Sequence, residues 1–175
     1  MEIGVIGDTF YSFVAVRIIK IDKIGKFIEE LRDTFQSVSL QALDANIIFG
    51  IEHIDGVLKI TLESINRKIT ISNKAEIDLL LRLSFTNQIS LALKYGGLKN
   101  GFPGCLICFS KDRKRIEEAK SYLEQIFFDI DNSVIDGSDI KRKAISERIG
   151  ISSNKILDEI TFVRYLIERA SLIIR

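Results

Sequence analysis

The sequence is short of the residues that do chemistry. In 175 residues it has one histidine, His53, two cysteines, Cys105 and Cys108, and one proline, Pro103. A lone histidine, with the cysteines far away along the chain, does not make up the ligand set of a zinc site. As a general base His53 would need a nucleophile and an orienting carboxylate, and FGIEHIDG marks neither. It therefore reads as a structural residue. Two cysteines in a chain of this length are no disulfide framework. Their C-x-x-C spacing falls within GCLICF, an apolar stretch with strand character, and not at a helix start where the dipole lowers a thiol pKa. Positions three apart on a strand point to opposite faces, so ordinary buried cysteines are expected. No G-x-x-x-x-G-K-[ST] or G-x-G-x-x-G occurs, which leaves no declared nucleotide loop. No apolar run approaches the roughly 20 residues of a membrane-spanning helix. The start, MEIGVIGDTF, lacks a basic segment and a small-residue cleavage site, so no secretory signal is expected. These absences predict a cytoplasmic chain with no metal, no cofactor and no catalytic residue, a binder more than a catalyst.

What is present is a foldable chain. Apolar residues are 46% of the sequence and charged residues 28%, enough for a core without covalent staples. Net charge is 25 − 24 = +1, so any contact with nucleic acid must rest on a local patch. No linker, internal repeat or low-complexity tract appears, and the expectation is one domain over 1–175.

The pattern mixes strands with amphipathic helices. Residues 11–19 (YSFVAVRII), 37–43 and 103–110 read as strands. Helical spacing runs over 22–34 with Asp22 as N-cap, and over 47–66 with Gly50 and Gly56 as weak points. Further helices are expected over 76–83 after a Ser72 or Asn73 cap, from Thr86 or Asn87 to Tyr95, and over 112–125 with Asp112 as cap. Two more are expected over 139–149, stopped by Gly150, and over 159–174, with a short turn begun by Ser152 or Ser153 between them. This order predicts an α+β domain, a mixed sheet covered by helices, without the regular alternation of a doubly wound fold.

Two helices carry more apolar surface than one core face uses. In 87–95, Ile89, Ala92 and Leu93 make one face, and Leu91 and Tyr95 another. The last helix has only Arg164, Glu168 and Ser171 as a polar stripe, with Arg169 beside it, and is expected to be buried on most sides. A central core helix and a docked partner both account for such a pattern. Basic residues gather at Lys59; at Arg67, Lys68 and Lys74; at Lys111, Arg113, Lys114 and Arg115; and at Lys141, Arg142 and Lys143. The second group surrounds a loop between helices, where it can converge with Lys59 on phosphates. Asp129 and Asp131 read as a solvated edge.

Three stretches together resemble a known family: 41–53 (QALDANIIFGIEH), 76–97 (EIDLLLRLSFTNQISLALKYGG), and 148–152 (RIGIS) followed by the apolar helix. The resemblance is to the kinase-associated regulatory subunits of the KEOPS (EKC) complex, the PRPK-binding protein family. Gln41, Gly50, Glu52, His53, Glu76, Ser84, Gln88, Ile89, Ala92 and Leu93 match the pattern. Where the family pattern ends in F-G-I, this chain has Tyr95, Gly96, Gly97 and then Leu98. The resemblance implies a non-catalytic subunit that binds and activates a small atypical kinase/ATPase. It also implies tRNA binding at the 3′ CCA end, in a complex that forms threonylcarbamoyladenosine beside the anticodon. It would place the kinase face on Ile89, Leu93 and Tyr95. Charge alone points to Lys59, Arg67, Lys68 and Lys74 for tRNA. Two alternatives stay open at this stage: an interaction scaffold without RNA binding, and a small enzyme using His53 with Glu52 or Asp44.

Overall fold

The computed structural model of the chain describes residues 3–151 and 158–174. The turn expected at Ser152 or Ser153 lies outside them. The described residues form two compact units, each drawn from two stretches of chain. The first runs up to Ala45 and resumes over Gly97–Val134; the second takes Asn46–Gly96 and the residues from Ile135 onward. The sequence reading expects one domain, and nothing in composition marks this division. The chain passes between the units at a 3-10 turn, Ala45–Ile47, at Gly96–Gly97, and at a second 3-10 turn, Asn132–Ile135.

In the first unit, strands β1 (Gly4–Ile6), β2 (Thr9–Val16), β3 (Ser39–Asp44) and β4 (Gly104–Ser110) form one sheet in the order β1-β2-β4-β3. Every pairing is antiparallel. The α+β class is as expected, but the sheet is antiparallel throughout where a mixed one was expected. The reason lies in the connections. A tight turn at Gly7, with φ of +61°, joins β1 to β2, and β4 inserts between β2 and β3 running against both.

Register sets the two faces. Val14, Leu106 and Ala42 align across the sheet, as do Ser12, Cys108 and Leu40. These rows meet helices α1 (Ile24–Thr34) and α5 (Arg113–Ile126), whose Leu31, Ile116, Ala119 and Leu123 complete a core. Phe13, Leu43, Ile107 and Phe109 of the opposite face are buried too. Burial on both sides explains why GCLICF is a continuous apolar run instead of an alternation. Asp112 caps α5 as expected, accepting from the N–H groups of Lys114 and Arg115. Asp22 does not cap α1, which begins after Lys23 without a side-chain cap.

The second unit is helical: α2 (Ile51–Asn66), α3 (Ala75–Leu83), α4 (Ile89–Gly96), α6 (Asp139–Ile149) and α7 (Glu159–Ser171). Helix α2 starts later than the apolar spacing suggests, because Gly50 at φ +88° breaks the run beginning at Ile47. Gly56 has a packing role: a Cβ there would strike the Ile167 side chain, so its absence lets α2 and α7 approach closely. Gly150 in the left-handed region stops α6, as expected. Phe162, Leu166 and Ala170 bury one side of α7, with Phe49 against Phe162 at 4.9 Å between ring centres. The helix ends at Ser171, three residues short of the expected end.

Candidate nucleic-acid and partner-binding surfaces

Helices α2 and α3 build one groove with the segment that follows α7. Helix α2 closes on a left-handed residue, Lys68 at φ +57°, with the Ile69 N–H donating back to the Ser64 carbonyl. This turn directs Ile69 and Thr70 along a groove of about 450 Å³. Ser64, Lys68, Arg82, Ser171, Ile173 and Ile174 complete its lining. Its floor is held by a buried ion pair. Arg82 Nε lies 2.6 Å from Asp78 Oδ2, one turn apart on α3. The other Asp78 oxygen accepts the Ile71 N–H at 2.7 Å. Arg82 also donates to Ser64 Oγ at 2.9 Å and to the Ala170 carbonyl at 3.0 Å. The carboxylate thereby fixes the groove loop, and the guanidinium fixes α2 and the end of α7.

The four basic residues expected to meet RNA are all exposed. Lys59, Glu63 and Arg67 follow one another at four-residue steps on the open face of α2. Glu63 pairs with Arg67 at 2.6 Å, so that cation is already partly neutralised. Lys68 lines the groove, and Lys74 immediately precedes α3. Among the described residues, Lys59, Lys68 and Lys74 make no ion pair. In the remaining clusters Lys114 and Lys143 are exposed, and the other cations are engaged elsewhere. Lys111 pairs with Asp8 at 2.7 Å, Arg113 with Glu117 at 3.0 Å and Arg115 with Glu118 at 2.9 Å. Lys141 turns inward and donates to the Ile48 carbonyl at 3.2 Å. Arg142 lies over the Phe49 and Phe162 rings at 5.7 and 5.4 Å.

Helix α4 is anchored through two small residues. Ala92 and Gly96 are buried, and a Cβ on Gly96 would collide with Ser84 Oγ and Ile47. Leu91 is half-buried, and the other side chains of the helix are exposed. Ile89 is 49% exposed, Leu93 52% and Tyr95 39%. The expected grouping of Ala92 with Ile89 and Leu93 is therefore corrected: Ala92 faces the core and the two larger side chains do not. Thr86 accepts the Gln88 N–H before the helix, while Asn87, the other expected cap, donates to the Ile174 carbonyl. Asp131 accepts from the Ser133 hydroxyl at 2.6 Å and from Arg17 at 2.8 Å, which lower its pKa to about 2.

His53 is fully buried on α2. Its Nδ1 accepts the Phe49 N–H at 3.3 Å, and its ring stacks on Phe85 at 6.1 Å. Burial, with the nearby Arg148 and Lys141 charges, lowers its pKa to about 3. The Glu52 side chain is exposed, and Asp44 accepts from Lys99 Nζ at 3.1 Å. Cys105 and Cys108 are buried free thiols whose strand partners place them on opposite faces of the sheet, and burial pushes the Cys108 thiol up to about 12. Among the described residues no group of His, Cys, Asp and Glu has the arrangement of a metal site, and no helix is long and apolar enough to cross a membrane.

The Asp78–Arg82 pair and the groove over it were not singled out from the sequence. The available signal was a carboxylate and a guanidinium four apart inside the apolar run IDLLLRL, where an unpaired charge has no place. No protein-family model matches the chain, and no curated protein matches it as a relative.

Proposed function

We propose that the chain is a non-catalytic, cytoplasmic subunit of a KEOPS-type complex. It docks the small atypical kinase/ATPase through Ile89, Leu93 and Tyr95 and recruits tRNA by its 3′ CCA end for threonylcarbamoyladenosine formation. The observation that carries this reading is α4. It lies within the stretch that resembles the kinase-associated family, and it presents three large exposed apolar side chains while its fully buried residues are the small Ala92 and Gly96. Isolated exposed apolar residues need no explanation, but three on one eight-residue helix suit a partner.

The RNA half of the reading is supported by the groove beside Lys68. Unpaired nucleotides bind where cations track the backbone and a flat or apolar surface receives the bases. Ile69 and Ile174 supply the apolar surface, with Lys59, Lys68 and Lys74 as cations. Arg67 contributes less because Glu63 holds it. The test is an electrophoretic shift of intact tRNA against tRNA trimmed of its CCA end, at two salt concentrations, beside a pull-down of the kinase subunit. Binding that needs CCA and weakens with salt is expected, as is retention of the kinase. A chain that retains the kinase but shifts neither RNA is an interaction scaffold, and the RNA half of the reading is then wrong.

A further inference from the structure

The segment after α7 is attached in a graded way. At its start the Ala170 carbonyl takes Arg82 Nη1 at 3.0 Å. Ser171 Oγ still donates to the Glu168 carbonyl at 2.6 Å, but from Leu172 to Ile174 the bonds are all long. Leu172 N–H reaches the Arg169 carbonyl at 3.3 Å, and Ile173 N–H reaches Ala170 at 3.4 Å. The Ile173 carbonyl takes Arg82 at 3.3 Å, and the Ile174 carbonyl takes Asn87 Nδ2 at 3.3 Å. Ordinary N–H···O bonds cluster near 2.9–3.0 Å. Packing adds little, since Leu172 is 63% exposed and Ile174 74%.

The position of this segment matters more than its weak hold. Ile173 and Ile174 form one wall of the groove that Lys68, Ile69 and Thr70 line from the other side. Asn87, which grips its far end, lies two residues before α4. One short length of chain is thus a wall of one surface and a tether to the other.

We propose that Leu172–Ile174 is a movable strap that couples the groove to α4, with Asn87 as the positioning residue that carries the link. This rests on the reading of the groove as an RNA site. A ligand filling the groove presses on Ile173 and Ile174 and so displaces the strap, and the Asn87 bond passes that displacement to the start of α4. Coupling of this kind is reciprocal, so whatever binds α4 changes the groove affinity by the same factor. Arg82 stays fixed throughout, because Asp78 and Ser64 hold it from inside.

Hydrogen exchange on the full chain tests this in two arms. In the first, without RNA, Asn87→Asp replaces the donor by a carboxylate of the same shape. Exchange at 172–174 and 88–92 should rise about fivefold or more while α2 is unchanged, and Asn87→Gln, which keeps the amide, should restore much of the protection. Unchanged exchange, or a rise spread evenly over the chain, overturns the strap. In the second arm intact tRNA is added. In the wild type, exchange should change at 68–71, at 172–174 and also in α4; in Asn87→Asp the α4 change should vanish while that at 68–71 remains. Protection at 68–71 without any α4 change overturns the coupling. Absence of any RNA effect, with the first arm as expected, overturns the RNA reading of the groove and with it the coupling, and leaves only the strap's attachment.

Discussion

Asp78 and Arg82 stand one helical turn apart with Nε and Oδ2 at 2.6 Å, and both are buried. The pair has few spare valences: Asp78 also accepts a backbone N–H, and Arg82 also binds Ser64 and two carbonyls near the end of α7. Removing one partner of such a pair strands the other. Asp78→Ala is expected to lower stability by about 3–5 kcal/mol in urea titrations. Because the two residues act as a unit, Asp78→Leu with Arg82→Met should cost much less than the sum of the single changes.

His53 makes stability depend on acid. Its folded pKa is lowered from 6.5 to about 3, first by burial and then by Arg148 and Lys141. The unfolded chain therefore takes up a proton below pH 6.5 that the folded chain refuses until about pH 3. The contribution of neutral His53 is fully present above pH 6.5 and is lost as pH falls across that window. The loss amounts to about 1.4 kcal/mol per pH unit well inside the window. His53→Phe keeps a ring against Phe85 and should flatten the wild-type slope by about one proton in urea titrations at stepped pH.

The cysteines are expected to be silent in the native chain. Both are buried, and burial raises the Cys108 pKa to about 12. Iodoacetamide at neutral pH should label neither thiol until denaturant unfolds the chain. Labelling at the native stage would show that the β4 region opens readily.

The basic residues should differ in their effect on RNA binding. Lys59→Ala, Lys68→Ala and Lys74→Ala should each weaken binding of tRNA and lower the slope of log affinity against log salt by about one. Arg67→Ala should do less, since Glu63 already neutralises it. Equal effects of all four would show that the Glu63 pair breaks on binding.

The fold class and most helices were legible because their apolar spacing is regular. Asp112 and Gly150 act as the local rules predict. The misses have physical causes. The three-residue β1 is too short to show a period, and pairing with β2 creates it. The last helix looks apolar to Ile174, but Arg82 draws the carbonyls of Ala170 and Ile173 and the helix stops at Ser171. Lys141 and Arg142 read as a surface patch because sequence alone does not reveal that a carbonyl and two aromatic rings await them. For the candidate surfaces, the surplus apolar residues Ile89, Leu93 and Tyr95 are visible in the sequence and all three are exposed, whereas only tertiary contacts bring Lys68 and Ile174 together in the groove.

Docking of the kinase on α4 is tested by calorimetric titration of the purified kinase subunit into the wild type and Leu93→Glu. Leu93 is half in solvent, so the substitution should leave the urea midpoint close to wild type. The Kd should rise by about 30-fold or more. Equal Kd values for two folded proteins, or no heat of binding with the wild type, would contradict docking on α4.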